Sequence, residues 1–134
     1  MRLDSFALHT QHVQATEADG SSLYDHAAHA RWLVHNSDYA VATVHSAMED
    51  GYPFGHVMSI GDGQDENSTG RIIFYCATVS QFVADVAKNN KVSVTLTQDQ
   101  TESGCKLFDE EWPMCARVRL KGAAATLKLP SNLQ

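Results

Sequence analysis

The stretch that decides the fold is FYCATVSQFVADVAKNNKVSVTLT, which runs from Phe74 to Thr97. Apolar and β-branched residues predict one strand over Arg71–Ala77 and another over Lys91–Thr97. In the second strand valine and leucine alternate with serine and threonine, so we expect one buried and one exposed face. The residues between the strands predict a short helix over Ser80–Lys88. The middle of the chain is therefore predicted to be a strand–helix–strand unit.

The flanking sequence predicts one further helix, over Ser22–His35, and several more strands. These strands are Asp38–His45, Phe54–Ile60 and Met114–Leu120, the last continuing in extended form to Leu129. Residues 1–21 have weak periodicity and are predicted to be a loosely attached tail, which leaves residues 22–134 as the folded domain. One helix followed by mostly antiparallel strands predicts an α+β fold built on a barrel.

Composition limits the classes of function that the chain can have. It contains 134 residues, a length typical of one domain with a real core, and carries a net charge of −6. The acidic balance disfavours a direct nucleic-acid binder, which needs a basic surface to neutralise phosphates. No apolar run is long enough for a membrane span, and the first residues lack the apolar core of a secretory signal.

The chain has three cysteines, in two different settings. Cys76 falls inside an apolar strand pattern, where a thiol usually behaves as a small buried hydrophobic group. Cys105 and Cys115 flank an acidic loop, and they are either bridged or two free thiols. A bridge closing so short a loop would stabilise the fold by about 2–3 kcal/mol on the chain-entropy model.

Side chains that could catalyse a reaction or hold a metal do not form a recognisable pattern. His26 and His29 are spaced so that both face one side of the first helix, with His35 near its end, but no third ligand has confirming spacing. We therefore expect surface histidines and no metal. There is no GxSxG motif, and Cys115 lies in a strand pattern, not at a helix N-terminus that would lower the pKa of its thiol. No catalytic residue is predicted.

Two charged runs remain as candidate binding surfaces. The carboxylates of residues 109–111 form a short acidic run that is either a solvated surface or a docking patch. Arg117, Arg119 and Lys121 alternate along one strand, so they are expected to share its outward face. Such a stripe is either the solvated side of a sheet or a site for an anionic ligand or partner.

Several short sequence blocks follow one another along the chain in a recognisable order. They are ARWLVHNSD at residues 30–38, ATV at 42–44, GYPFG at 51–55, SIGDG at 59–63, the strand with Phe74 and Tyr75, and WPMCARVRLKG at 112–122. In this order and spacing they resemble the CREG family of secreted glycoproteins. Members of that family adopt the FMN-binding split β-barrel of the pyridoxamine 5′-phosphate oxidases. The resemblance covers about residues 27–126.

The resemblance implies a non-enzymatic, homodimeric glycoprotein that is linked to growth control. It implies passage through secretion to the endolysosomal system and a cell-surface or sorting receptor as partner. Asn67 is the first residue of an N-glycosylation sequon in a polar loop, and an N-glycoprotein requires such a sequon. Cys105 and Cys115 fit the family's cysteine pair around the same acidic loop. Because the chain as given shows no signal peptide, a cytoplasmic location stays open.

The oxidase relatives supply the alternative function, an FMN-dependent oxidoreductase. In those relatives arginine, lysine, serine and threonine hold the cofactor phosphate, and the positions matching here include Arg71, Thr78 and Ser80. Between Ala77 and Asn90, however, the only cation is Lys88, whereas phosphate recognition normally uses several. We therefore expect no bound cofactor. We also expect Thr78 to cap the helix that follows.

The resemblance also predicts an incomplete barrel. Family members continue past the strand at Gly122 through a further helix and a closing strand. We accordingly expect residues 22–134 to be a C-terminally incomplete split barrel that lacks its last strand. Such a barrel has an open edge, which favours association with another strand.

Overall fold

The computed structural model describes residues 3–16, 26–102, 104–105, 107 and 109–127. In chain order the elements are β1 (Leu3–Thr16), α1 (His26–His35), β2 (Tyr39–His45), β3 (Pro53–Gly61), β4 (Ile73–Ala77), α2 (Gln81–Lys88), β5 (Lys91–Thr97) and β6 (Arg117–Thr126). Short 3-10 turns cover Asp65–Asn67 and Gln98–Gln100. The strands pair antiparallel in the order β1–β4–β3–β2–β5–β6 and close into a barrel.

The α+β split-barrel class is confirmed, and β2 to β5 lie close to their predicted positions. The last strand differs, because β6 begins at Arg117 and not at Met114. The residues before it form a tight turn in which the Cys115 amide donates to the Trp112 carbonyl at 2.9 Å. The sequence predicted the continuation of this strand beyond Gly122, and β6 extends to Thr126.

Residues 3–16 belong to the segment predicted to be an N-terminal tail, and in the structure they form β1. This strand pairs with β4 on one side and with β6 on the other, so the expected open edge is absent from the described sheet. Its partners are distant in sequence, as in the pairing of Ala7 with Ala125, and a local pattern cannot reveal such contacts. The other residues of the predicted tail lie outside the described part of the chain.

The barrel interior is filled by the inward-facing residues of the strands. In β5 and β6 these are Val92, Val94, Leu96, Val118, Leu120 and Ala124, all buried. Helix α2 adds Phe82 to this core, where its ring lies 5.5 Å from that of Phe74. Among the described helices none is long and apolar enough to cross a membrane.

Candidate functional site

The three residues predicted to hold a flavin phosphate lie at two separate places. Arg71 is exposed and precedes β4, whereas Thr78 and Ser80 follow that strand. The five residues of β4 span about 16 Å at the usual rise per residue. A single chain therefore brings Thr78 close to Ser80 in sequence and space but leaves Arg71 at the opposite end of the strand.

The side chains of Ser80 and Gln81 already have hydrogen-bond partners within the protein. Ser80 is the N-cap of α2, and its hydroxyl accepts a hydrogen bond from the Val83 amide at 3.4 Å. The expectation that Thr78 caps this helix is wrong, because the cap lies two residues later. Gln81 donates to a carboxylate inside the fold, and Lys88 is exposed in the last turn of α2. An FMN phosphate needs converging cations and donors, and within one chain Arg71 does not converge with Thr78 and Ser80.

A buried carboxylate that the sequence did not single out organises one end of the barrel. Asp85 is fully buried on α2 and accepts hydrogen bonds from the Ala47 amide and the Gln81 side chain, both at 2.7 Å. Its second oxygen lies 3.3 Å from Nε2 of His56 on β3. Burial opposes ionisation of Asp85, but these hydrogen bonds outweigh it and lower its pKa below the ordinary value. The signal in the sequence is an acid on the apolar face of α2, between Phe82 and Val86.

A second buried carboxylate, Asp62, lies just beyond the end of β3. It accepts from Nδ1 of His35 at 2.9 Å and from the Ser68 hydroxyl at 2.5 Å. Its backbone carbonyl accepts from both the amide and the hydroxyl of Thr69. Burial opposes ionisation of Asp62 as well, yet the bonds from Ser68 and His35 lower its pKa. Ser68 donates to the carboxylate and not to the imidazole, so this cluster is not arranged as a serine nucleophile with a histidine base.

The glycosylation sequon belongs to the loop that Asp62 holds. Asn67 is the last residue of the 3-10 turn and its side chain is exposed. The two sequon residues that follow, Ser68 and Thr69, are the ones bonded to Asp62. The structure thus presents the asparagine at the surface of a fixed loop.

The histidines that suggested a metal site have other contacts in the structure. His35 is bonded to Asp62, and the ring of His29 packs against Trp32 with centroids 5.8 Å apart. Among the residues that the structure describes, no group of three or more potential ligands lies together.

The sulfur atoms of Cys105 and Cys115 lie 2.03 Å apart, which is disulfide distance, and both residues are buried. Cys76 is buried in β4. The loop between the paired cysteines exposes its acidic run at residues 109–111. It also exposes the apolar side chains of Leu107, Trp112 and Met114.

The outer surface of β2, β3 and β4 is an exposed face without formal charge. None of these three strands contains lysine, arginine, aspartate or glutamate. Apolar side chains point outward on all three, and we call this surface the apolar face: Tyr39, Val41, Val57 and Tyr75. Val41 and Val57 are directly paired across the strands, and the side chain of Val41 packs closely over Gly55.

The comparison with known families agrees with this barrel. The family model described as CREG, beta-barrel matches residues 21–133. The chain belongs to the CREG family. Protein CREG2 of Mus musculus is 38% identical over 106 residues, which make up 76% of this chain and 36% of that protein.

Two further relatives give a similar picture. Protein CREG1 of Mus musculus is 32% identical over 97 residues, which cover 69% of this chain and 44% of that protein. Protein CREG1 of Homo sapiens is 32% identical over 102 residues, which cover 73% of this chain and 46% of the relative. The matched region therefore spans less than half the length of each of these proteins.

The structure gives a physical reason for two of the blocks that resemble the CREG family. The block at residues 30–38 contains His35, and the block at 59–63 contains Asp62. The bond between these two side chains connects the end of α1 to the end of β3. These residues therefore position the loop that carries Asn67.

Proposed function

We propose that this CREG-family protein acts by binding and not by catalysis, as a homodimer that engages a cell-surface or sorting receptor. The observation that carries the proposal is the apolar face. Val57 at its centre is 74% exposed, and its paired neighbour Val41 is exposed as well. Monomeric proteins rarely leave contiguous apolar surface of this kind uncovered, and such patches usually mark protein–protein interfaces.

A second copy of the chain is the occupant that best suits this face. An uncharged surface made of β-branched and aromatic residues is self-complementary, so a two-fold axis can place it against itself without burying a charge. The same strands are closed into the barrel by their neighbours, so association would use side chains and not unpaired strand edges.

The secretory and endolysosomal part of the proposal rests on Asn67, Cys105 and Cys115. Asn67 is accessible for a glycan, and disulfides persist in oxidising compartments. The growth-related role follows from family membership alone. Expression through a secretory pathway followed by glycosidase treatment tests the glycan, and an unchanged mass after treatment would contradict it.

The hydrogen bonding of the two buried carboxylates supports the absence of a catalytic role. Asp62 and Asp85 are the described acids with lowered pKa values, and hydrogen bonds inside the fold occupy both oxygens of each. A carboxylate whose two oxygens both accept hydrogen bonds inside the fold has a structural role. It is poorly suited to exchange protons with a substrate near neutral pH.

The dimer is tested by placing a charge in the apolar face. Val57→Lys should raise the dimer dissociation constant by about 100-fold or more, because an unpaired ammonium would be buried at the contact. Val79→Lys is the matched control, because Val79 is 92% exposed but lies in the turn between β4 and α2. Light scattering after size exclusion reports the mass. Equal dissociation in both variants, or in neither, would contradict this face as the dimer contact.

The alternative proposal is an FMN-dependent oxidoreductase, with Thr78 and Ser80 near the phosphate at the N-terminus of α2. Arg71 would have to come from the other end of β4 or from a second chain. A titration of FMN with the protein, followed by quenching of the FMN fluorescence, distinguishes the oxidoreductase from the non-enzymatic protein. Saturable micromolar binding that Ser80→Ala weakens would favour the oxidoreductase, whereas the absence of binding favours the non-enzymatic protein.

A further inference from the structure

A groove opens where two neighbouring strands of the barrel separate. Strands β2 and β5 pair over three residues each, and this pairing ends at Thr43 and Ser93. Beyond that point β2 continues to His45, and β5 begins at Lys91. The two strands diverge there, so their backbone amides and carbonyls are not paired with one another as they are further along the sheet.

The space at this divergence is large enough for a small molecule. The groove has a volume of about 530 Å³, which is within the range of small-molecule sites. Its lining comes from the ends of β2, β3 and β5, the middle of β6 and the residue before β5: Thr43, Val44, His45, Pro53, Asn90, Lys91, Val92, Ser93, Lys121, Gly122 and Ala123. No aspartate or glutamate is among them, although the whole chain has a net charge of −6.

Two ammonium groups flank the groove from adjacent strands. Lys91 on β5 is opposite Ala123, and Lys121 on β6 is opposite Ser93, so the two lysines are diagonal neighbours. Diagonal neighbours of this kind are about 7–8 Å apart, and long side chains bridge that distance easily. Neither ammonium forms an ion pair with a carboxylate in the part of the chain that the structure describes. Both side chains are exposed, so an anion in the groove can reach their ammonium groups.

Hydroxyl groups complete the set of donors. Thr43 and Ser93 are directly paired across the two strands, and both are half-buried in the groove wall. Two lysines and two hydroxyls on a surface without carboxylates match a tetrahedral dianion, which requires several donors around one charge centre. Apolar atoms of Val44 and Pro53 offer contact area for the uncharged part of such a ligand.

We propose that this groove binds a small molecule bearing a phosphomonoester, held by Lys91 and Lys121 with Thr43 and Ser93. The site is distinct from the positions at Arg71, Thr78 and Ser80. It also does not require the apolar face to be covered by a second chain. A sugar phosphate and a nucleoside monophosphate share this chemistry, and they differ in what they place against Val44 and Pro53.

The test is a titration of the isotope-labelled 134-residue chain followed by amide chemical shifts. The probes are ribose 5-phosphate and adenosine 5′-monophosphate, with ribose and adenosine as their uncharged counterparts. Saturable shifts at residues 43–45, 91–93 and 121–123, seen only with the two phosphates, are the expected result. Tighter binding of the nucleotide identifies a base-accepting site, and equal binding identifies a sugar-phosphate site.

Substitutions then assign the binding to the two lysines. Lys91→Gln and Lys121→Gln should each raise the dissociation constant about tenfold, because each removes a charge-assisted bond. Lys88→Gln is the matched control, since Lys88 is exposed on α2 and does not line the groove. Retained amide spectra will show that the variants fold. The proposal is overturned if the phosphates give no saturable shifts, or if the control loses as much affinity as the groove variants.

Discussion

At the scale of single residues, the structure depends on two carboxylates that accept hydrogen bonds in its interior. Asp85 connects α2 to the loop at Ala47 and to His56 on β3, and Asp62 connects α1 to the sequon loop. A polar residue on an apolar helix face is visible in the sequence at Asp85. The identity of its partners is not, because Ala47 and His56 are 38 and 29 residues away.

Replacing Asp85 tests this dependence. Asp85→Ala should lower the free energy of unfolding by about 2–4 kcal/mol, because it leaves the Ala47 amide and the Gln81 side chain buried without their acceptor. The control is Glu110→Ala in the exposed acidic run, which should change stability by less than about 0.5 kcal/mol. Urea unfolding followed by circular dichroism measures both. A loss at Asp85 no larger than at Glu110 would contradict the structural role.

The lowered pKa values of Asp62 and Asp85 predict how stability depends on pH. Each carboxylate is ionised more readily in the folded protein than in the unfolded chain, where the pKa of an aspartate is about 3.9. Their stabilising contribution is therefore complete above that pH and is lost as pH falls through the lower folded values. Unfolding midpoints measured from pH 6 to pH 2 should decline mainly below about pH 4. Asp62→Asn should flatten that decline, and an unchanged slope would contradict the assignment.

At the scale of elements, local pattern was sufficient wherever a strand alternates cleanly. The buried positions of β5, Val92, Val94 and Leu96, were predicted because alternation follows directly from strand geometry. β1 was missed because its register is set by contacts with β4 and β6 and not by its own pattern. The groove was missed for a related reason, since the point where β2 and β5 diverge is a property of pairing.

The place of β1 in the barrel is tested by deletion. Removing residues 1–16 exposes the edges of β4 and β6, so we expect a lower unfolding midpoint and concentration-dependent aggregation. Thermal unfolding and light scattering of the shortened and full chains measure these effects. A shortened chain as stable and as monodisperse as the full one would mean that the segment is a tail after all.

At the scale of the whole molecule, charge is distributed unevenly over the barrel. The strands β2, β3 and β4 carry no formal charge, whereas β6 exposes Arg117, Arg119 and Lys121. The first surface suits a second copy of the chain, and the second surface leads into the phosphate groove at Lys121. Composition alone gave only the net charge, and the separation of these surfaces required the register of the strands.

The most direct test of the binding function is the mass of the oxidised 134-residue chain by sedimentation velocity across a concentration series. A homodimer predicts a species of twice the 14.7 kDa chain mass, with dissociation only on dilution. A monomer at every concentration would contradict the account, because the apolar face would then lack the partner that explains its exposure.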